Sequence, residues 1–441
     1  MEERPSAPLV SRRTLLLACA GGGVVGLAGC SIFDGDDRPR LNVKDFGAVG
    51  DGTKDDGPAF HRALAKAESA GGAVIEVPAG TYALSEQGTS KACLDLPANT
   101  TLHGEGTLTH VPSITRLSVS LIGIARANVA VHGLTLLLES APGGRPFGVA
   151  VRDGARDAML SDLMVRDNPV RGGIQVIGGK ATTIRRCTIT RMAQNGMTLY
   201  GKGVGKGPRG VEIDQCTIDA HVQPIDSEPV EGATCDDVVV TDCTLTSTGG
   251  NYGITLLDTN DAVVRRNTIT GAVHLTRSHH ARFEDNRVDA SEAGGDRNAV
   301  DVSQDAQDLT FSRNRVTAPP GRVGMRIARG VDRVPRAITV TGNTFDVSDP
   351  GSMGVEIRDA TDLTLSDNRI RGRDSGGGIS VTAQREVVTV AITKNRIGGF
   401  STGISARANG RGRLAATIKS NDVDDNTVPE ELGPSGLSVT R

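Results

Sequence analysis

Between Cys93 and Asn421 the chain alternates short apolar strands with polar turns, in two columns that keep step with each other. In the first, the leading apolar residue of a strand falls at Ile174, Met197, Ile225, Ile254, Val273, Val300, Met325, Val355, Ile379 and Ile404. In the second, a turn and strand begin at Cys187, Cys216, Cys243, Asn267, Asn286, Asn314, Asn343, Asn368, Asn395 and Asn421, each followed two residues later by Ile, Leu, Val or Phe. The spacing of about twenty to thirty residues is that of a stacked repeat. A unit this small cannot bury an apolar face alone, so the pattern predicts a stack of coils with parallel strands about 4.8 Å apart around a narrow apolar core. The Asn column predicts an amide ladder along one turn. Cys187, Cys216 and Cys243 would replace Asn in early coils as small buried residues, the alternative being a thiol or metal role. From Ala92 to Arg171 the alternation is weaker. Beyond Asn421 it fades into Asp422 to Gly436, an expected irregular cap or frayed tail.

Ahead of the repeats the period changes. Asp56 offers a helix N-cap with Pro58 in the first turn, and Ala59, Phe60, Ala63, Leu64 and Ala67 recur at helical spacing up to Gly71-Gly72. Ala73 to Val77 then reads as a strand, followed by the turn Pro78-Ala79-Gly80 and Tyr82. Asp45-Phe46-Gly47-Ala48-Val49-Gly50-Asp51-Gly52-Thr53-Lys54-Asp55-Asp56, this helix, Gly71-Gly72-Ala73-Val74 and Val77-Pro78-Ala79-Gly80-Thr81-Tyr82 together resemble the opening module of pectate-lyase-like, rhamnogalacturonase-like proteins. The chain departs from that pattern at Gly57, His61 and Ala73. The resemblance implies an all-β fold, a right-handed parallel β-helix with an N-terminal capping α-helix, and a glycan as the natural substrate class. It leaves the reaction open, since the superfamily holds lyases, hydrolases, epimerases and non-catalytic spikes.

The first thirty residues carry a different signal. Arg12-Arg13 precedes the apolar, glycine-rich run Thr14 to Gly29, which is shorter than the ~20 residues of a spanning helix. Ser11 to Leu16 resembles a twin-arginine export signal, and Leu27-Ala28-Gly29-Cys30 a lipobox that would make Cys30 the lipidated first residue. The expected organisation is a signal over 1–29, a tether over 30–40, a β-helix over 41–430 with its cap at 41–84, and a tail over 431–441. Such a protein is exported and held at the cell surface, with the membrane engaged through the lipid on Cys30. Seven cysteines, at no metal-ligand spacing, give no disulfide framework, and a net charge of −3 gives no support to nucleic-acid binding.

Candidate chemistry centres on Gln223-Pro224-Ile225-Asp226-Ser227-Glu228-Pro229. Asp226 and Glu228, two apart on a strand, project to one face. Aligning the coils gives an outward column Gln175, Thr198, Asp226, Thr255, His274, Asp301, Arg326, Glu356, beside a second column Ile177, Tyr200, Glu228, Leu257, Thr276, Ser303. This face reads as a groove for an extended polysaccharide, with Asp226 and Glu228 as acid and base or nucleophile, and His274 in support. Tyr200 and Tyr252 would contact sugar, and Gln175, Asp301 and Arg326 would bind substrate. Hydrolysis is the leading reading. The same face would serve a lyase or epimerase, with Tyr200 or His274 as base and Lys202, Arg171, Arg277 or Arg326 neutralising a uronate. No cofactor is called for, and calcium on Asp214, Asp226 and Asp237 is an alternative that spacing does not support. The competing reading is a solvated ladder of charges on a binding or spike-like protein, in keeping with the lack of tryptophan.

Overall fold

A computed structural model describes residues 37–86, 90–112, 119–139, 146–331, 333–347, 349, 351–373, 376–423, 425–433 and 437–440. The export signal, the lipobox and Cys30 lie outside the described residues.

The two sequence columns become two walls of one solenoid. Among the described residues every strand pairing is parallel, and the strands form three sheets of 17, 14 and 14 strands that run the length of the stack. In the third sheet the apolar column stacks without a slip: Ile174 pairs with Met197, Met197 with Ile225, Ile225 with Ile254, and so on through Val273, Val300, Met325, Val355 and Ile379 to Ile404. All ten are buried. Register is fixed because a one-residue slip would turn this whole column outward. The architecture is the right-handed parallel β-helix that the sequence predicts.

The Asn column forms the predicted ladder at the corner between the first and second sheets. Asn267, Asn286, Asn314, Asn343, Asn368 and Asn395 each donate Nδ2 to the Oδ1 of the next asparagine at 2.9–3.1 Å, ending on Asn421. The same Oδ1 atoms accept the preceding asparagine's backbone N–H, as Asn368 does from Asn343 at 2.9 Å. The residue before each Asn holds φ near +55° to +65°, for example Arg313, Gly342 and Asp367, which turns the chain from one sheet into the next. Cys187, Cys216 and Cys243 continue the column as buried thiols, and Cys243 accepts from the Cys216 backbone N–H through Sγ at 3.4 Å.

The helix spans Gly57–Ser69 and buries Ala59, Phe60, Ala63, Leu64 and Ala67, the predicted face. It packs on the first strands, Arg40–Asn42, Ala73–Val77 and Ala92–Leu96. Asp56 stands at the N-cap but makes no capping bond. Its carboxylate instead accepts from the backbone N–H groups of Val49 and Gly50 at 2.7 and 3.0 Å, closing the loop ahead of the helix.

At the other end the stack continues where the sequence pattern fades. Val428–Leu432 pairs in parallel with Thr402–Ala408, and Leu437–Thr440 with Arg413–Lys419. Backbone pairing needs no apolar alternation, and a terminal strand has a neighbour on one side only, so Glu430 can stand opposite Ile404.

Candidate functional site

The third sheet carries the candidate residues on consecutive strands: Gly172–Ile177, Asn195–Tyr200, Gln223–Ser227, Tyr252–Leu257, Ala272–Thr276 and Val300–Ser303. The expected outward column is the observed register: Gln175 pairs with Thr198, Thr198 with Asp226, Asp226 with Thr255, Thr255 with His274, His274 with Asp301, Asp301 with Arg326, and Arg326 with Glu356.

Asp226 points away from the apolar core, yet it is only 5% exposed. Thr198 and Thr255 flank it along the stack, and Asn195 Nδ2 donates to its Oδ2 at 2.7 Å. Burial is the main force on its proton: desolvation, then the charge of Glu228, raise its pKa to about 7 against the opposing effects of Asn195 and Arg171. Glu228 is exposed, just past the end of the strand, with its backbone N–H on the Leu199 carbonyl at 2.9 Å. That contact sets it opposite Tyr200, which is half-buried. A carboxyl whose midpoint is raised toward neutrality can still donate a proton there, beside a second, exposed carboxyl group on the same face. Arg171, next to them, donates to Gln194 and lies with its guanidinium carbon 5.7 Å from the centre of the Phe147 ring.

The other predicted residues assemble elsewhere on the face. His274 stands two coils from Asp226, roughly 10 Å at the usual strand spacing, with Thr255 between them. It stacks on Tyr252 with ring centres 5.1 Å apart and shares a 2.7 Å hydrogen bond between its Nε2 and the Thr276 hydroxyl, which in turn meets the Ser303 hydroxyl at 2.9 Å. Burial lowers the His274 pKa, opposed by Asp301 and assisted by Arg277, so the ring is neutral at neutral pH. Thus His274 belongs with Tyr252 and not with the acidic pair. Tyr252 in turn is no open stacking platform: His274 lies against it and Arg297 sits 5.1 Å from its ring centre. Asp301 accepts from Asn298 Nδ2 at 2.9 Å. Arg326 lies 3.4 Å from Glu356, which Arg358 also contacts at 2.5 Å, so this distal part of the column is the charge ladder that the competing reading expects. Gln175, half-buried, lies two coils before Asp226.

Of the aspartates named for calcium, Asp214 is engaged by Arg185 and Thr241 and Asp226 by Asn195, and among the described residues no group of three His, Cys, Asp or Glu side chains converges. Three contributors escaped the sequence reading. Asn195 sits three residues ahead of Thr198, outside the Asn ladder, and that displacement was its only signal. Thr255 belongs to the predicted column, but that its hydroxyl is buried without a partner follows only from the stacked coils. Arg297 comes from a connection with no repeat register, so nothing in the pattern marks it.

The chain is similar to several known proteins. Among curated proteins, Mannuronan C5-epimerase AlgE5 of Azotobacter vinelandii is 26% identical over 337 residues, covering 74% of this chain and 26% of that protein. Mannuronan C5-epimerase AlgE1 of the same organism is 45% identical over 67 residues, 15% of this chain and 5% of that one. The chain therefore spans about a quarter or less of the length of these relatives. Among solved structures, a tailspike protein mutant of E. coli bacteriophage HK620, in complex with pentasaccharide, superposes with a TM-score of 0.57 at 13% identity, covering 91% of this chain and 80% of that one, a likeness of fold. The family described as Rhamnogalacturonase A/epimerase, pectate lyase-like, matches residues 40–296, more than half of the sequence and the whole of the acidic site, and the chain belongs to that family.

Proposed function

We propose that the third-sheet face acts on a uronate-containing polysaccharide, with Asp226 entering the reaction as a neutral acid and Glu228 as its partner. The observation that carries this reading is the buried Asp226 carboxyl, raised to about 7 beside Glu228 and Arg171. A sugar carboxylate has to be neutralised before the proton beside it becomes removable, and a protonated Asp226 with Arg171 offers a hydrogen-bond donor and a positive charge for that purpose. Glu228 or Tyr200, facing each other across adjacent coils, would take the proton. Returning it from the opposite side gives epimerisation, and losing the glycosidic oxygen gives elimination. The resemblance to the mannuronan C5-epimerases supports the uronate class.

A second reading, glycosidic hydrolysis by the same pair, rests on two carboxyl groups on one face, one buried and one exposed. Incubating the protein with acidic and neutral polysaccharides separates the reactions. Reducing ends alone mean hydrolysis, reducing ends with unsaturated-sugar absorbance mean elimination, and a changed uronate composition at constant chain length means epimerisation. All three signals should vanish in Asp226→Asn, Glu228→Gln. Turnover surviving in that double variant would remove the site from the reaction.

We also propose that the protein is exported and lipid-anchored through Cys30. Fractionation with Cys30→Ala tests it, since unchanged membrane association would refute the anchor.

A further inference from the structure

The arginines along this part of the face are largely neutralised. Arg277 holds Asp258 through two bonds of 2.7 and 2.6 Å, Arg322 is bonded to Asp296 at 2.6 Å, and Arg326 lies against Glu356. Arg297 differs. It closes the 290–299 connection, which is fixed to an earlier turn by a bond from Gly294 N–H to the Gly250 carbonyl at 2.9 Å. Its Nη1 donates to the Gly294 carbonyl at 2.8 Å, its guanidinium carbon sits 5.1 Å from the Tyr252 ring centre, and its Nε is buried without a hydrogen-bond partner. Among the described residues no carboxylate is within ion-pair distance of it. A half-buried cation with unspent donors carries a desolvation cost that an anionic partner would offset. Its planar fork, oriented by the ring and by the loop, matches the geometry of a carboxylate, the anion of the uronate class proposed above.

We propose that Arg297, stacked on Tyr252, binds the carboxylate of a second uronate, one to two coils along the groove from the unit held at Asp226 and Glu228. The inference rests on the uronate reading above and deepens it. A polymer running along the stack passes from Asp226 over Thr255 to His274, so the neighbouring unit arrives at the Tyr252 and His274 rings. Asp301, half-buried and held by Asn298, is then positioned to meet a sugar hydroxyl.

Binding to the Asp226→Asn protein, in which the reaction is blocked, provides the test by calorimetry with two probes: a mannuronate hexamer and its carboxyl-reduced counterpart. Adding Arg297→Gln should weaken the acidic hexamer about tenfold or more, flatten its salt dependence, and leave the reduced hexamer unchanged. Arg297→Lys, which keeps the charge but not the fork, should fall between the two. Equal affinity for the acidic hexamer with and without Arg297 overturns the inference alone, and equal losses on both hexamers assign Arg297 to the scaffold and overturn it as well. If the parent protein, with Asp226 intact, binds neither hexamer, the uronate reading fails and this inference with it.

Discussion

At the scale of single residues the telling group is Asp226, whose carboxyl is strained toward protonation by burial and by Glu228. A form that must be protonated to work is lost as pH rises through about 7, so turnover should decline on the alkaline side of that value. Glu228→Gln removes the neighbouring charge and should move the Asp226 midpoint downward, a shift readable by carboxyl-carbon NMR. The raised pKa also sets a sign for stability. The folded state binds this proton more tightly than the unfolded chain, so between about pH 4 and about pH 7 stability falls as pH rises, by at most about 4 kcal/mol from this group. Asp226→Asn should therefore melt higher than the parent at pH 8, and the advantage should shrink toward pH 4. A constant difference across that range would mean that Asp226 is ionised in the folded protein.

At the scale of elements, the amide ladder ties one coil to the next through side chains as well as backbone. Asn343 donates to Asn368 and to the Phe311 carbonyl, and accepts from Asn314 through both its backbone N–H and Nδ2. Asn343→Ala leaves several buried polar groups without partners, at a cost of about 3 kcal/mol or more. Replacing the exposed neighbour Arg315 by alanine should cost under about 1 kcal/mol, since Arg315 is itself mostly exposed and Asp346 keeps a second cation in Arg371. Denaturant titration of the two variants compares them directly, and equal losses would show the ladder to be incidental.

At the scale of the whole molecule, each coil is stabilised by the two beside it, and the last strands lack one of these neighbours. Hydrogen exchange should thus be slowest in the third-sheet strands from Gly172 to Ser303 and fastest in Val428–Leu432, while a uniform rate would indicate that the stack opens all at once. The same nearest-neighbour logic explains what was legible beforehand. Ile174 to Ile404 and Asn267 to Asn421 recur in sequence because every coil solves the same packing problem, so the fold, its register and the outward columns could be read from one-dimensional spacing. Val428–Leu432 escaped because backbone pairing leaves no such trace.

The site divides along the same line. Sequence by itself determined that Asp226, Tyr200, His274, Asp301 and Arg326 share one face, since alternation along a strand and coil-to-coil pairing are local rules. Only the tertiary structure decided how they group: Asp226 buried with Asn195, His274 against Tyr252, Arg326 against Glu356, and Arg297 brought in from a connection of irregular length. Those choices depend on side-chain reach, desolvation and the path of loops between coils, quantities that arise once the coils are stacked and that no repeat spacing encodes.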